Sequence, residues 1–288
     1  MGNFKQFNPD EPLPNLARFS WDWAPLLCDP FHGCLDYHRC WSMIRWLTLD
    51  GNLPSGSGFF KRELQRLKLT KDARILISGA ADTGILAMVI GAFEADEPIP
   101  QIALVDQCKT TVIQNRLFCD YLGLNAECIE SSITNLNYEK VDVIVAHSFL
   151  LFFPGPARQE IVRCWRNLLK PGGIVLLSNR VCESEAKGPP KKDQLEIDDS
   201  MARLVRLAEK AGFSAGSALE LGDSAKVFWS GERWRQPYLT AENLQQCFAR
   251  AGLKIQSLHI REKSRSGPAR SFIQGQGPDF RAELVAYR

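Results

Sequence analysis

The sequence predicts an α/β protein built on a doubly wound, mostly parallel sheet, and three observations support this fold class. From Ala73 onward, short apolar runs alternate with segments that space apolar residues at helical intervals, which is the signature of parallel βαβ units. The 288 residues, 45% hydrophobic and 24% charged, can bury a sizeable core. Two extended segments, 253–262 and 282–288, close the chain and predict an antiparallel hairpin at one edge of the sheet.

The amino-terminal part of the chain precedes this alternation. Residues 1–20 are polar and contain prolines, so we expect an extended arm. The pattern from Leu35 to Leu47 predicts a helix, and residues 59–69 predict a second amphipathic helix. The first of these helices carries a broad apolar stripe of Tyr37, Trp41, Met43 and Ile44. Such a stripe either packs in the core or also covers a ligand pocket.

The elements of the alternating part follow from short apolar runs and their stop signals. Strands are predicted at Ile75–Ile77, Ile102–Val105, Ala126–Ile129, Val141–Ala146 and Ile174–Leu177. Helices are predicted at Lys109–Leu122, which Gly123 ends, and at Ala157–Leu169, which Lys170-Pro171-Gly172-Gly173 ends.

Beyond Val181 the alternation stops. Residues 183–196 are charged and contain prolines, which predicts a loop. A helix follows, with Asp198, Asp199 or Ser200 as its cap and Gly212 as its end. After an aromatic-bearing stretch, 227–239, a last helix places Leu244, Cys247, Phe248 and Ala251 on one face and ends at Gly252.

A small-residue turn, Ser78-Gly79-Ala80-Ala81-Asp82-Thr83-Gly84, lies between the first strand and its helix. Small side chains let a ligand approach the backbone, and the amides at the start of a helix offer unpaired donors. Asp82 either caps the helix or contacts the ligand. Asp106, at the carboxyl end of the adjacent strand, either accepts hydrogen bonds from both hydroxyls of a ribose or lies in a solvated turn. The strand, the turn and the helix together predict a nucleotide-type cradle.

Composition excludes several classes of protein. A net charge of +2 creates no field that favours nucleic acid or a membrane surface, and we interpret the basic stretch 261–270 as a solvated loop. Residues 1–15 have neither the basic start nor the apolar core of a signal peptide, so we expect a cytoplasmic protein. The nine scattered cysteines are then reduced thiols.

One cluster of cysteines and histidines resembles a metal site in composition only. It comprises Cys28, His32, Cys34, His38 and Cys40. Both residue types are zinc ligands, but the cluster has no C-x-x-C pair and its spacing matches no structural zinc pattern. The sequence therefore predicts no metal, and we interpret these residues as core thiols and pocket-lining histidines.

The chain resembles the class I S-adenosylmethionine-dependent methyltransferases. The resemblance is carried by the order of elements, the turn at Ser78–Gly84, Asp106 and the phrase LLKPGGIVLL at 168–177. It covers residues 73–178 and 240–288, about half of the chain. It implies a seven-stranded Rossmann-like sheet with an antiparallel last strand, helical lid elements, and S-adenosyl-L-methionine as cofactor. Ser78 stands where the family often has an acid, so Asp82 is expected to take part of that role.

The resemblance also implies which residues hold the cofactor. They are Gly79, Ala80, Ala81, Asp82 and Gly84 in the turn, Asp106 and Gln107 after the second strand, Ser131, Ser132 and Ile133 after the third, and His147 and Ser148 after the fourth. Arg45 either reaches the carboxylate of the methionine moiety as a bidentate partner or lies on the surface.

Methyl transfer asks the protein to align the acceptor, exclude water and sometimes remove a proton. His147 is the first candidate base because it lies at a strand end beside the expected methyl group, and His38 is the second. Each is otherwise a hydrogen-bonded wall of the pocket. Residues 147–150, HSFL, lack the N-P-P-Y/F motif of enzymes that methylate amino groups of DNA and protein, which argues against adenine or glutamine as substrate.

Four segments divide the chain: a helical lid at 1–70, the cofactor-binding core at 71–181, an insertion covering the substrate side at 182–239, and the last helix with the closing hairpin at 240–288. The lid and the insertion could enclose a small, aromatic or amine-bearing metabolite methylated on oxygen or nitrogen. Two alternatives stay open. One is an NAD(P)-dependent oxidoreductase, which the missing G-x-G-x-x-G disfavours, and the other is a non-catalytic cofactor-binding module. The oligomeric state, including a homodimer, is also open.

Overall fold

A computed structural model describes residues 13–48, 57–94, 97–182, 193–230, 239–262 and 280–288. Three stretches that carried sequence predictions, 183–192, 231–238 and 263–270, lie outside the described residues, as do residues 1–12. Within the described ranges, no helix combines the length and the apolar character that crossing a bilayer requires.

The described residues form one seven-stranded sheet in the order β3-β2-β1-β4-β5-β7-β6. Its strands are β1 (Arg74–Ser78), β2 (Gln101–Asp106), β3 (Ala126–Glu130), β4 (Val141–His147), β5 (Leu169–Val181), β6 (Lys254–Glu262) and β7 (Phe280–Tyr287). The pairs among β1 to β5 are parallel, whereas β7 runs antiparallel to both of its neighbours. The predicted fold class and the closing antiparallel pair are confirmed, with β7 inserted between β5 and β6.

Helices cover both faces of this sheet. They are α1 (Leu13–Leu27), α2 (Leu35–Thr48), α3 (Ser57–Leu67), α4 (Gly84–Ile90), α5 (Lys109–Leu122), α6 (Gly155–Leu168), α7 (Gln194–Lys210), α8 (Ala215–Ser230) and α9 (Ala241–Arg250). Alternate residues of a strand point to opposite faces. Ile75 and Ile77 accordingly pack with α3, α4 and α5, while Leu76 packs with α6 and α9.

A third apolar cluster joins α1 and α2 to α7 and α8. Trp21 of α1, Ile44 of α2, Leu204 of α7 and Leu221 of α8 are all buried in it. The helices α1, α2, α7 and α8 thus form one helical layer. α1 also contacts α5, which connects this layer to the sheet.

The extended arm predicted for residues 1–20 is wrong where the structure describes it. Residues 13–20 belong to α1, whose buried positions Leu13, Leu16, Ala17, Ser20, Trp21 and Ala24 have helical spacing. Pro14 lies in the first helical turn, where its missing N–H is not needed. The proline therefore begins the helix instead of preventing it.

The predictions after β5 need two corrections. The cap of α7 is Asp193, not Asp198, Asp199 or Ser200, because the Asp193 carboxylate accepts from the Glu196 amide while the Glu196 side chain binds the Asp193 amide. Residues 194–196, predicted as loop, are therefore helical. α8 had no counterpart in the sequence prediction, although the helix is 16 residues long.

The strand β5 is also longer than predicted. Its pairing with β4 starts at Leu169 opposite Val141, and a register shift follows before Ile174 pairs with Val143. Gly172, at φ 77°, lies within that irregular segment. The glycines thus bend the start of the strand, instead of separating it from α6.

Candidate active site

A cavity of about 740 Å³ opens at the carboxyl ends of the parallel strands. This is the edge at which open α/β sheets bind their ligands. Residues following β1, β2, β3 and β4 line one side of it. The segment from Pro30 to His38 and residues 149–161 line the rest.

Most of the residues expected to hold a cofactor meet on the wall of this cavity. They are Gly79, Ala80, Ala81, Asp106, Gln107, Ser131, Ser132, Ile133 and His147, and the second candidate base, His38, joins them. Four others, Asp82, Gly84, Ser148 and Arg45, are not part of the cavity wall. The structure therefore brings together residues from four separate strand ends, as the strand pattern predicts.

Two features require a glycine at position 79: its backbone conformation and the closeness of Phe149. Its φ is 80°, a region that side-chain-bearing residues rarely adopt. A Cβ at this position would lie 2.1 Å from Cδ2 of Phe149, well inside van der Waals contact. Phe149 itself lines the cavity, so the aromatic ring rests directly on the turn.

Asp106 connects the two turns that flank the cavity. Its Oδ2 accepts from the Ala80 amide at 2.9 Å, and its Oδ1 accepts from the Cys108 amide at 2.8 Å. Burial raises the pKa of this carboxyl, although the charge of His38 and the two backbone donors oppose the rise. Each carboxylate oxygen keeps acceptor capacity beyond these bonds. Asp106 is thus held in place with room for ligand hydroxyls.

Hydrogen bonds hold the turn after β3 next to Asp106. The amide of Ser131 donates to the Asp106 carbonyl at 3.0 Å. The Ser131 hydroxyl donates to the Ser132 carbonyl at 3.1 Å, and the Ser132 and Thr134 hydroxyls lie 2.9 Å apart. These contacts place small polar groups on the cavity wall beyond β2.

Arg45 is not a surface arginine, as one of its two sequence interpretations had it. Its side chain is 1% exposed, its Nε donates to Oδ2 of Asp82 at 2.5 Å, and its Nη2 donates to the Thr83 hydroxyl at 3.2 Å. Among the described residues its Nη1 finds no partner. Asp82 also accepts from the Gly84 amide at 2.7 Å. One carboxylate therefore both stabilises the start of α4 and pairs with α2.

Ser78 occupies the position where the resembled family often has an acid. The Ser78 side chain is buried, and its hydroxyl oxygen accepts a hydrogen bond from Nε1 of the Trp165 indole at 2.9 Å. Trp165 lies in α6, on the face of the sheet that packs with α9. Ser78 therefore connects the sheet to a helix and is not on the cavity wall.

His147 contacts an arginine that the sequence analysis did not single out. Nη1 of Arg281, in β7, lies 3.1 Å from Nε2 of His147 and 3.0 Å from the Ser148 hydroxyl. A guanidinium only donates, so Nε2 is the acceptor and the hydrogen of the neutral ring is on Nδ1. Ser148 has φ 51°, and its amide donates to the Ser178 carbonyl at 2.7 Å.

His38 lies in a cluster of thiols. The Sγ atoms of Cys28 and Cys34 lie 3.6 Å and 3.7 Å from Sγ of Cys108, and Nδ1 of His38 lies 3.7 Å from Sγ of Cys28. Burial alone lowers the pKa of His38, but hydrogen bonds with Cys108 and Cys28 outweigh it and raise the pKa to about 10. Three members of the sequence cluster thus meet, whereas Cys40 packs between helices and His32 pairs with Asp29.

Tyr37 shows that the apolar stripe of α2 does more than pack. Its ring lies 5.8 Å from that of Trp41, 5.6 Å from Phe152 and 5.7 Å from Phe228 of α8. The same residue lines the cavity. Burial raises the pKa of its hydroxyl, and the charges of Asp82 and Asp106 raise it further. The tyrosine therefore faces the cavity as a neutral phenol.

The central part of the chain is similar to a known protein family. A family model described as a methyltransferase domain matches residues 89–177, from within α4 to within β5. Residues 89–177 therefore carry a methyltransferase domain. S-adenosylmethionine is accordingly its cofactor, and the residues present fit that group: Gly79, Ala80 and Ala81 present small residues to the cavity, and Asp106 keeps acceptor capacity beyond its two backbone bonds.

Solved structures share the fold of this methyltransferase domain. The magnesium protoporphyrin IX methyltransferase of Synechocystis PCC 6803, solved with bound SAH, aligns with a TM-score of 0.51 at 11% identity, over 95% of this chain and 99% of that one. The [4+2]-cyclase SpnF aligns with a TM-score of 0.52 at 16% identity, over 81% of each chain. At such identities the likeness concerns the fold alone. Comparison with curated protein sequences gave no match.

Proposed function

We propose that this methyltransferase domain methylates an oxygen or nitrogen of a small, aromatic or amine-bearing metabolite. The observation that carries the proposal is the division of one cavity wall into two kinds of surface. Strand ends supply backbone, carboxylate and hydroxyl groups, while Tyr37, Phe149, Phe152 and Phe153 supply aromatic surface. The first suits a nucleoside, and the second suits a ring or a cation.

The strand-end side of the cavity is the proposed cofactor site. Asp106 would accept from the ribose hydroxyls, the backbone at Gly79–Ala81 would accommodate the amino-acid end, and Ser131 to Ile133 would contact the base. When bound, S-adenosylmethionine supplies an electrophilic methyl group on a sulfonium. Arg45 and Asp82, buried beneath the turn, would stabilise its shape instead of touching the cofactor carboxylate.

The aromatic side of the cavity is the proposed acceptor site. The whole cavity, which the cofactor and the acceptor would share, has a volume of about 740 Å³, within the range of roughly 300–1,000 Å³ common for small-molecule sites. Aromatic walls exclude water, and water exclusion protects methyl transfer from hydrolysis. These features support a small metabolite as the acceptor. All nine cysteines are free thiols, which supports a reducing, cytoplasmic location.

We propose His147 as the group that receives the acceptor's proton when the acceptor is a hydroxyl or an ammonium. It lines the cavity at the end of β4, and Arg281 fixes its ring and tautomer. Proton uptake at Nε2 requires that lone pair to leave the guanidinium. His38 is the less suitable base because its ring nitrogen faces the thiols of Cys28 and Cys108.

The proposal is tested first by binding and then by transfer. Calorimetric titration of the full chain with S-adenosylhomocysteine should release heat, whereas titration with NADH should not. The chain is next incubated with methyl-labelled S-adenosylmethionine and a metabolite extract, and mass spectrometry identifies the labelled product. A labelled small aromatic or amine supports the proposal. Binding of the cofactor product without any labelled metabolite would favour a non-catalytic module instead.

The role of His147 is tested with the acceptor so identified. His147→Ala should lower turnover by roughly 10²- to 10⁴-fold, the usual contribution of general acid–base catalysis, while affinity for S-adenosylhomocysteine is kept. His259→Ala, at an exposed position of β6 away from the cavity lining, is the matched control. Full turnover by His147→Ala would remove the residue as base.

A further inference from the structure

We propose that Cys28, Cys34, Cys108 and His38 bind one zinc ion, in a site that spacing along the chain does not reveal. The four ligand atoms all lie within 4.8 Å of one another. Cys28 follows α1, Cys34 directly precedes α2, His38 lies in the first turn of α2, and Cys108 comes two residues after Asp106. The proposal concerns a separate site and does not depend on the reaction proposed for the cavity.

The distances match a single tetrahedral ion. With Zn–S bonds of about 2.3 Å and tetrahedral angles, two sulfur ligands lie about 3.8 Å apart, and a sulfur and a nitrogen lie about 3.6 Å apart. The two Sγ–Sγ distances to Cys108 are 3.6 Å and 3.7 Å, and the Sγ–Nδ1 distance from Cys28 to His38 is 3.7 Å. The spacing suits one ion held by all four residues.

The ligand types favour zinc, and their number leaves no open coordination position. Three thiolates and one imidazole form a known structural zinc set, and soft thiolate ligands disfavour magnesium and calcium. Four protein ligands fill a tetrahedral shell, so no position is left for water or substrate. The proposed ion is therefore structural, and a ligating nitrogen removes His38 from proton transfer.

The surroundings support the ligands in the way metal sites require. The Thr110 hydroxyl lies 3.1 Å from Sγ of Cys28, where it can donate to a thiolate. Cys28, Cys108 and His38 are 8%, 2% and 6% exposed, and Ala24 and Leu35 complete an apolar shell. Three of the four ligands are thus largely buried, which favours metal retention, while Cys34 is partly exposed.

The position of the site indicates what the ion does. Cys34, His38 and Cys108 all line the cavity. The amide of Cys108 also donates to the carboxylate of Asp106. An ion bound here would connect the first two helices to the turn that follows Asp106 at the end of β2, with Cys108 lying 74 positions after Cys34. Zinc would thereby hold one wall of the cavity closed against the sheet.

The test uses the full chain purified under reducing conditions without chelators. Elemental analysis should find about one zinc per chain, and replacement by Co²⁺ should produce the visible absorption of a tetrahedral cobalt–thiolate site. Cys28→Ser and Cys108→Ser should lower the zinc content at least tenfold. Cys119→Ser is the matched control, since Cys119 is a buried thiol on α5 beside a second thiol, Cys128. Its zinc content should equal that of the unaltered chain.

Two results would overturn the zinc site. They are an unaltered chain that carries no zinc and gives no cobalt–thiolate absorption, and a zinc content that Cys108→Ser leaves unchanged. The cobalt spectrum of the unaltered chain decides the matter even where a variant fails to fold.

Discussion

The guanidinium of Arg45 and the carboxylate of Asp82 form an ion pair with both side chains at most 3% exposed. The pair joins α2 to the turn after β1, and Asp82 uses its other oxygen for the Gly84 amide. Removing one member of a buried pair leaves the other as an uncompensated charge. The shape of the turn therefore depends on a residue 37 positions earlier in the chain.

We expect Arg45→Ala to lower the free energy of unfolding by about 3–5 kcal/mol, the usual effect of breaking a buried pair. Urea titration at neutral pH measures it. Lys226→Ala, which removes a surface pair with Asp198, should leave the midpoint unchanged. Adding Asp82→Asn to Arg45→Ala should recover part of the loss. A midpoint for Arg45→Ala equal to that of Lys226→Ala would show that the pair does not stabilise the fold.

Gly79→Ala should destabilise the protein more than Gly123→Ala does. Both glycines have positive φ, so alanine is strained at either position by roughly 1–2 kcal/mol. At Gly123 a Cβ meets nothing within 4 Å, whereas at Gly79 it collides with Phe149. The difference between the two thermal shifts thus isolates the collision. Equal shifts would mean that the Phe149 ring moves aside without cost.

Asp106→Asn should weaken binding of S-adenosylhomocysteine by about 10- to 100-fold, because a hydrogen bond to a charged group contributes about 1.5–3 kcal/mol. Calorimetry measures the affinity. Asp120→Asn, at an exposed position of α5, is the control and should bind normally. An unchanged affinity of Asp106→Asn would show that the ribose assignment is wrong.

The ionisation of Asp142 makes the free energy of unfolding depend on pH. Burial alone raises its pKa, but hydrogen bonds from Lys170 and from the Arg74 amide, each at 2.8 Å, outweigh it and lower the pKa. A lowered pKa contributes stability above the unfolded value of about 3.9, and this contribution is lost as pH falls through the folded value.

Asp142→Asn should therefore be less stable than the unaltered chain near pH 7, and the gap should close as the pH falls toward 3. Urea midpoints of both proteins across this range measure the gap. A gap that stays constant with pH would assign the effect of the substitution to packing instead of charge.

The parts of the fold that were predictable from sequence are those set by local pattern. The buried strands are short apolar runs, and Gly123 ends α5 in a left-handed conformation, as expected. α8 escaped prediction because Gly216 and Gly222 lower helix propensity. Packing overrides that propensity, since a Cβ at Gly222 would lie 2.7 Å from Val205 of α7. The glycine permits the close approach of the two helices.

In the candidate site too, the residues set by local sequence pattern were predictable, and those set by contacts distant in the chain were not. Asp106 and Ser131 reach the cavity because the carboxyl ends of parallel strands meet at one edge, and that rule needs only the strand pattern. Cys108 and Arg281 were missed because their partners lie 80 and 134 residues away. The spacing of cysteines and histidines within CDPFHGCLDYHRC does not predict Cys108 as their neighbour, because the fold brings Cys108 to them from the turn after β2.

The insertion of β7 between β5 and β6 has a consequence for the order in which the chain assembles. β6 is synthesised before β7, yet β7 is its neighbour in the sheet. During ribosomal synthesis β6 must therefore wait for the last described strand before it can join the sheet. That strand also carries Arg281, so His147 can meet its arginine partner only after β7 has been synthesised.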